Sequence, residues 1–177
     1  MKYLIIGDPD SAHCLRLINK HHSTPTNITG WEDSPKGKFM VAKRGCHVTD
    51  KLENLSNMQF DVIIGNPPYS DRSGLSHKSG DLDSVFALFA ITHANTVKLI
   101  IRSKHFTSLS SKFRKTLFSS GHLVSIKILD ESVFPIQNTE TCIIEWDSKH
   151  DGSTEICYQD GTVVNRKLNS KSVIKLN

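Results

Sequence analysis

The chain has 177 residues, with 22 Lys plus Arg against 18 Asp plus Glu and a formal net charge of +4. That length suits one domain with its own core, and 37% hydrophobic with 23% charged residues is an ordinary globular composition, not a disordered one. The longest apolar runs, 62–65 and 85–91, fall far short of the roughly 20 residues that cross a membrane, so a membrane protein is not expected.

In chain order, 2–7 (KYLIIG) reads as a buried strand opening at once, with Asp8 arriving before any signal-like apolar stretch. Asp8-Pro9-Asp10-Ser11 is turn chemistry, and Asp10 or Ser11 is placed to cap an amphipathic helix over 12–21. A second strand is expected over 27–30, ending at Glu32-Asp33. Pro35 then starts a helix to about Arg44, which Gly45 closes. A short strand over 46–49 follows. The clearest strand is 60–65 (FDVIIG), stopped by Pro67-Pro68. After the polar stretch 70–80, a helix is predicted over 82–94, a strand over 97–101, and a basic helix from Ser110 or Ser111 to Ser119. Strands over 123–129 and 141–146 come next, then a hairpin of 155–159 and 162–166 about Asp160-Gly161. Alternating strands and helices predict an α/β fold, a mostly parallel sheet with helices on both faces and an antiparallel edge from the late strands.

Charge is unevenly spread. No Asp or Glu occurs over 84–129, which holds Lys98, Arg102, Lys104, Lys112, Arg114, Lys115 and Lys127; 35–49 carries Lys36, Lys38, Lys43 and Arg44, again without an acid. Such segments can pave a basic face for a phosphate backbone, or be solvated helix faces balanced by acids elsewhere. The four cysteines (Cys14, Cys46, Cys142, Cys157) are far apart and read as small buried hydrophobes of a reducing cytoplasm. The nine histidines show no ligand spacing beside an acid, so no metal site is expected.

Ligands of such sheets bind at the carboxyl ends of the strands, and there the fourth strand ends in Asn66-Pro67-Pro68-Tyr69. This segment, Phe60 through Tyr69, resembles the catalytic motif of amino-group methyltransferases that use S-adenosylmethionine, above all the adenine-specific DNA methylases of type II restriction-modification systems. The similarity continues through Ser103-Lys104-His105-Phe106, Phe113-Arg114, Gly121-His122-Leu123 and Val133-Phe134-Pro135, and covers roughly 45–150. An adenine exocyclic amine is a poor nucleophile because its lone pair is delocalised into the ring. The Asn66 carboxamide oxygen and the Pro67 carbonyl can accept its two hydrogens and so localise that pair. Tyr69 offers a stacking surface for a base flipped out of the duplex, and Phe134 falls where the family often places a second aromatic.

The resemblance also implies a cofactor site. Asp8-Pro9 matches the family's first-strand loop, with Ala12 and Cys14 at its two glycine positions. Glu32, at the acidic end of the second strand, is implied as an acceptor of the ribose hydroxyls, with Trp31 or Phe39 flanking the adenine and Asp50 on its amine. Family members carry a target-recognition region after the catalytic domain. Here the expected division is a methyltransferase-like domain over 1–147 and a short hairpin with a basic tail over 148–177. Reading of a DNA sequence would then fall to a specificity or partner subunit, a homo-oligomer or the 70–80 loop.

The expected fold is therefore a Rossmann-like methyltransferase. The expected function is methyl transfer from S-adenosylmethionine to the exocyclic amine of adenine in DNA, with Arg102, Lys104, Lys112, Arg114 and Lys115 on phosphates. The alternative, of another class, is a non-catalytic methyltransferase-fold protein that binds nucleic acid or a methylase partner. The location expected for either is cytoplasmic.

Overall fold

A computed structural model describes residues 1–69, 81–133 and 140–175. Its elements are β1 (Tyr3–Ile6), α1 (Ala12–His21), β2 (Ile28–Trp31), α2 (Pro35–Lys43), β3 (His47–Thr49), β4 (Phe60–Gly65), α3 (Leu82–His93), β5 (Ala94–Arg102), α4 (Lys112–Ser119), β6 (Leu123–Ile128), β7 (Thr141–Asp147), β8 (Thr154–Cys157) and β9 (Val163–Arg166). All nine strands join one sheet in the order β3-β2-β1-β4-β5-β7-β6-β8-β9.

β1 shows why the sheet is covered on both sides. Its four residues are all buried, and their alternation sorts them to two cores. Tyr3 and Ile5 pack with Cys14, Leu17 and Val41 from α1 and α2. Leu4 and Ile6 belong instead to the larger cluster of Phe86, Ala87 and Ala90 from α3 and Phe113 and Leu117 from α4. Each fully buried Leu, Ile or Phe contributes roughly 1.5–3 kcal/mol of transfer free energy.

The pairs β1·β2, β1·β4, β2·β3 and β4·β5 are parallel. β7 is antiparallel to both neighbours and lies inside the sheet, between β5 and β6. β8 pairs with β6 in parallel, and the antiparallel edge is β9, joined to β8 through a turn with Gly161 at φ 86°. The single-turn 3-10 segments Pro25–Asn27, Leu52–Leu55 and Ser103–Phe106 had no periodic signal to announce them. Among the described residues no helix is long and apolar enough to cross a membrane.

The basic helix α4 departs from expectation on one side. Ser111 caps it, its hydroxyl accepting the Arg114 N–H at 3.2 Å, and Lys112 and Lys115 are exposed. Arg114 is not on that face: it is fully buried. Its guanidinium donates to the carbonyls of Ser108 (2.9 Å), Leu109 (3.1 Å), Ser170 (2.9 Å) and Ser172, and lies 5.6 Å from the Phe118 ring centre. The helical period explains the split, since Phe113, Arg114, Leu117 and Phe118 share the inward face. Arg114 therefore cannot contact a phosphate. It ties the segment after β9 to the core, where Ile174 is also buried and donates its N–H to the Phe106 carbonyl at 3.0 Å.

Removing the guanidinium would leave buried carbonyls without donors. Arg114→Met is expected to lower unfolding stability by on the order of 3 kcal/mol, whereas Lys112→Ala on the exposed face shifts it by under about 0.5 kcal/mol. Urea denaturation of the two variants checks this, and equal effects would refute the assigned role.

Candidate active site

The centre of the sheet's carboxyl edge is built from two glycines. Gly7 follows β1 at φ 70° and Gly65 ends β4 at φ 150°, conformations that favour residues without a side chain. A Cβ on Gly65 would run into the Ile6 backbone, and one on Gly7 into the Asn66 carbonyl oxygen. The close approach is sealed by the Asn66 N–H donating to the Ile6 carbonyl at 2.9 Å and the Gly7 N–H to the Trp31 carbonyl at 3.1 Å. Asn66 thus emerges beside the end of β1, where α/β sheets bind ligands.

From there the two prolines carry the chain off the sheet, with Pro67 buried and Tyr69 half-buried. The Tyr69 hydroxyl donates to Asn66 Oδ1 at 3.0 Å. Burial, then the nearby Asp83 charge, push that hydroxyl up to about 12, so it stays a proton donor at neutral pH. Behind it lies a group that no sequence pattern indicated. Arg102, at the end of β5, donates Nη2 to the Tyr69 carbonyl at 2.9 Å and stands 5.6 Å from the ring centre. Asp83, buried in the first turn of α3, meets Arg102 at 2.5 Å and His105 Nε2 at 3.0 Å. Burial alone would raise the Asp83 carboxyl, but hydrogen bonds from His105 and Arg102 outweigh it and hold the group well below the usual range.

Arg102 is therefore an internal ion-pair partner with a side chain 11% exposed, not the phosphate contact expected of it. Lys104 is half-exposed but paired with Asp81 at 2.7 Å. Of the expected phosphate contacts, Lys112 and Lys115 stand on open surface. Asp81, Asp83 and His105 bring three potential ligand atoms within 4.8 Å, yet Arg102 and Lys104 already place positive charge on those carboxylates.

The cofactor-side residues divide as well. Neither Asp10 nor Ser11 caps α1; Ser11 takes φ 54° and makes no side-chain cap. Asp8 does the capping, its two oxygens accepting the N–H groups of His13 (3.2 Å) and Cys14 (3.1 Å). The Asp8 N–H in turn donates to Glu32 Oε1, and Asp8 and Glu32 are each only 3% exposed. Cys14, at one glycine position implied by the resemblance, lies in α1 and packs into the core. Asp50 stays exposed and ion-paired with Lys38 at 2.7 Å.

Asp50 also lines a cleft of about 650 Å3, with Trp31, Lys51, Leu52, Glu53, Leu82 and Phe86. Trp31 and Phe86 meet edge-on at 4.5 Å, and the buried Trp31 Nε1 has no hydrogen-bond partner among the described residues. An apolar aromatic wall and rim carboxylates from Asp50 and Glu53 suit a nucleoside. Neither Glu32, which is buried, nor Phe39, 63% exposed on α2, lines this cleft. Sequence reasoning missed Glu53, Leu82 and Phe86; the four-residue spacing of the last two on α3 was the available signal. Phe134 and the 70–80 loop lie outside the described residues.

Burial raises the Glu32 carboxyl from its usual 4.5 to about 7, and the charges of Asp8, Asp33 and Asp10 add to that against the Asp8 N–H. Between those pH values the folded protein keeps a proton that the unfolded chain has lost. The resulting stability is full below about pH 4.5 and is lost as pH rises through 7, in total about 3 kcal/mol. Glu32→Gln, neutral throughout, should match the native protein near pH 5 and exceed its stability by up to about 3 kcal/mol at pH 8.5. Urea unfolding at both pH values tests this, and a gap that does not widen with pH would contradict it.

Known proteins share this fold. No curated protein sequence matches the chain. Among solved structures, a type I restriction-modification system methyltransferase subunit from Streptococcus thermophilus superimposes with TM-score 0.66 at 15% identity, over 96% of this chain and 45% of that one. A modification subunit of a putative type I restriction enzyme from Vibrio vulnificus gives 0.65 at 14%, over 99% and 46%. A putative class I S-adenosylmethionine-dependent methyltransferase from Listeria monocytogenes gives 0.59 at 14%, over 88% and 58%. These likenesses establish a Rossmann-like methyltransferase fold, and the chain spans less than half the length of the two type I subunits. The model of the Eco57I restriction-modification methylase family matches residues 13–134, well over half of the sequence. The chain belongs to the Eco57I restriction-modification methylase family.

Proposed function

We propose that this chain is a methyltransferase domain that moves the methyl group of S-adenosylmethionine to the exocyclic amine of adenine in DNA. The observation that carries the reading is the position of Asn66-Pro67-Pro68-Tyr69, held at the end of β4 against the end of β1. S-adenosylmethionine, when bound, supplies an electrophilic sulfonium methyl. The cleft beside Trp31 would take its adenosine, with Asp50 and Glu53 at the rim. Asn66 Oδ1 and the Pro67 carbonyl would accept the two amine hydrogens, which turns the nitrogen lone pair outward. The Tyr69 ring would stack on the flipped base, through the face not taken by Arg102. We assign reading of the target sequence to a specificity or partner subunit, to a second copy or to residues 70–80.

A second reading has an observation of its own. Asp8 is consumed in capping α1, and Glu32 is 3% exposed with its carboxylate on the Asp8 N–H. That favours a non-catalytic member that binds nucleic acid or a methylase partner. Calorimetry with S-adenosylmethionine separates the two, because only the catalytic reading requires binding.

Asn66→Ala should reduce methyl transfer by about 100-fold or more while leaving the cofactor Kd within about twofold, because Asn66 acts on the acceptor alone. Transfer at the native rate would remove the assignment. On the surface, Lys112→Ala with Lys115→Ala should weaken DNA binding alike across sequences. It should flatten the log–log salt dependence by about 0.9 for each phosphate no longer neutralised, and an unchanged slope would mean that this face meets only solvent.

A further inference from the structure

Three buried ionisable groups lie directly behind the proposed acceptor site and join the start of α3 to the end of β5. Asp83 is fully buried, His105 is 6% exposed, and the Arg102 side chain is 11% exposed. Such a group is a poor source of stability, because desolvation cancels much of the attraction. Its geometry is nonetheless tightly specified. Asp83 Oδ2 accepts the backbone N–H of Arg102 at 3.0 Å, its Nε at 3.1 Å and His105 Nε2 at 3.0 Å, while Oδ1 takes Nη2 at 2.5 Å. The same Nη2 reaches forward to the Tyr69 carbonyl at 2.9 Å. Tyr69, so anchored, donates its hydroxyl to Asn66 Oδ1 at 3.0 Å.

Resting on the reading that Asn66 accepts the substrate's amine hydrogens, we propose that Asp83, Arg102 and His105 are positioning residues that fix the Asn66 carboxamide through Tyr69. The chemistry requires such a device. A carboxamide turned over by 180° presents its NH2 where its oxygen should be, and two donors would then face each other. The two orientations are nearly equal in shape, so sterics alone cannot choose between them. In the structure the Tyr69 hydroxyl donates to the oxygen and so holds the orientation that the amine needs, while the turned carboxamide would have to use a hydroxyl lone pair as its acceptor instead. Oδ1 has two lone pairs, so the hydroxyl occupies one and leaves the other for the amine. The ring follows two prolines and would otherwise be held from one side only. Arg102 fixes its backbone and covers one ring face, and Asp83 with His105 fixes the planar fork of Arg102.

The test follows the 15N-labelled side-chain amide of Asn66 in the full chain, assigned by its loss in Asn66→Ala. Tyr69→Phe and Arg102→Gln should both move this NH2 pair toward the position of a free asparagine, with Arg102→Lys intermediate. In methylation assays Tyr69→Phe should lower kcat about 10-fold with little change in KM for DNA, since the stacking ring remains. On an Asn66→Ala background the same change should have no further effect. An Asn66 resonance unmoved by Tyr69→Phe overturns the proposal, as does one unmoved by Arg102→Gln with the backbone spectrum intact. Should Arg102→Gln fail to fold, Tyr69→Phe decides alone, because it removes a single oxygen. If the native protein transfers no methyl group while the resonances move as stated, the positioning device stands and the catalytic reading falls.

Discussion

At the carboxyl edge of the sheet the backbones of β1 and β4 approach so closely that neither Gly7 nor Gly65 has room for a side chain. Everything at the candidate site is referenced to this contact. Because β4 is pressed on β1, the next residue, Asn66, still donates to the Ile6 carbonyl before the prolines end the strand. On the other side, Gly7 turns the chain so that Asp8 faces the start of α1 and its N–H meets Glu32. One steric constraint therefore sets both the acceptor motif and the loop opposite it.

Around this contact the protein buries charge in three different ways. Arg114 surrounds its guanidinium with carbonyl dipoles and serves the packing of the last residues. Asp83 is ionised and matched by Arg102 and His105, which gives direction as well as neutrality. Glu32 has no cation opposite it among the described residues, only the Asp8 N–H and other acids nearby, and so it holds its proton toward neutral pH. The first serves stability. The second sits behind Tyr69, and the third makes the loop sensitive to pH.

Much of the fold was legible in the sequence because its elements are locally consistent. The apolar runs of β1 and β4 and the Pro35 start of α2 all stand where the patterns put them. The motif at Asn66 was legible for the same reason, a strand stopped by two prolines. What was not legible depends on contacts distant in sequence. Acid-free composition could not reveal that Arg102 finds Asp83 or that Arg114 turns inward; for Arg114 the helical period was the missed clue. The capping of α1 by Asp8 was hidden because local preference favoured Asp10 and Ser11, and a left-handed turn at Ser11 took both out of reach. The cleft is assembled from the ends of β2 and β3 and the face of α3, which no single window of sequence contains.

The place of β7 bears on how the chain reaches this state. It is the last of three neighbours to be synthesised, yet it lies between the other two, hydrogen-bonded to β5 on one side and β6 on the other. Until residue 141 is available, β5 and β6 have no strand between them and each presents an open row of backbone donors and acceptors. The left half of the sheet, by contrast, can zip up from β1, β2 and β3 as they emerge, with helices between them. Assembly is thus divided in time: an early parallel half, and a late half waiting for one central strand. Such non-local pairing is slow and leaves sticky edges exposed, so a nascent chain halted before β7 is the species in which this protein is most open to misassociation.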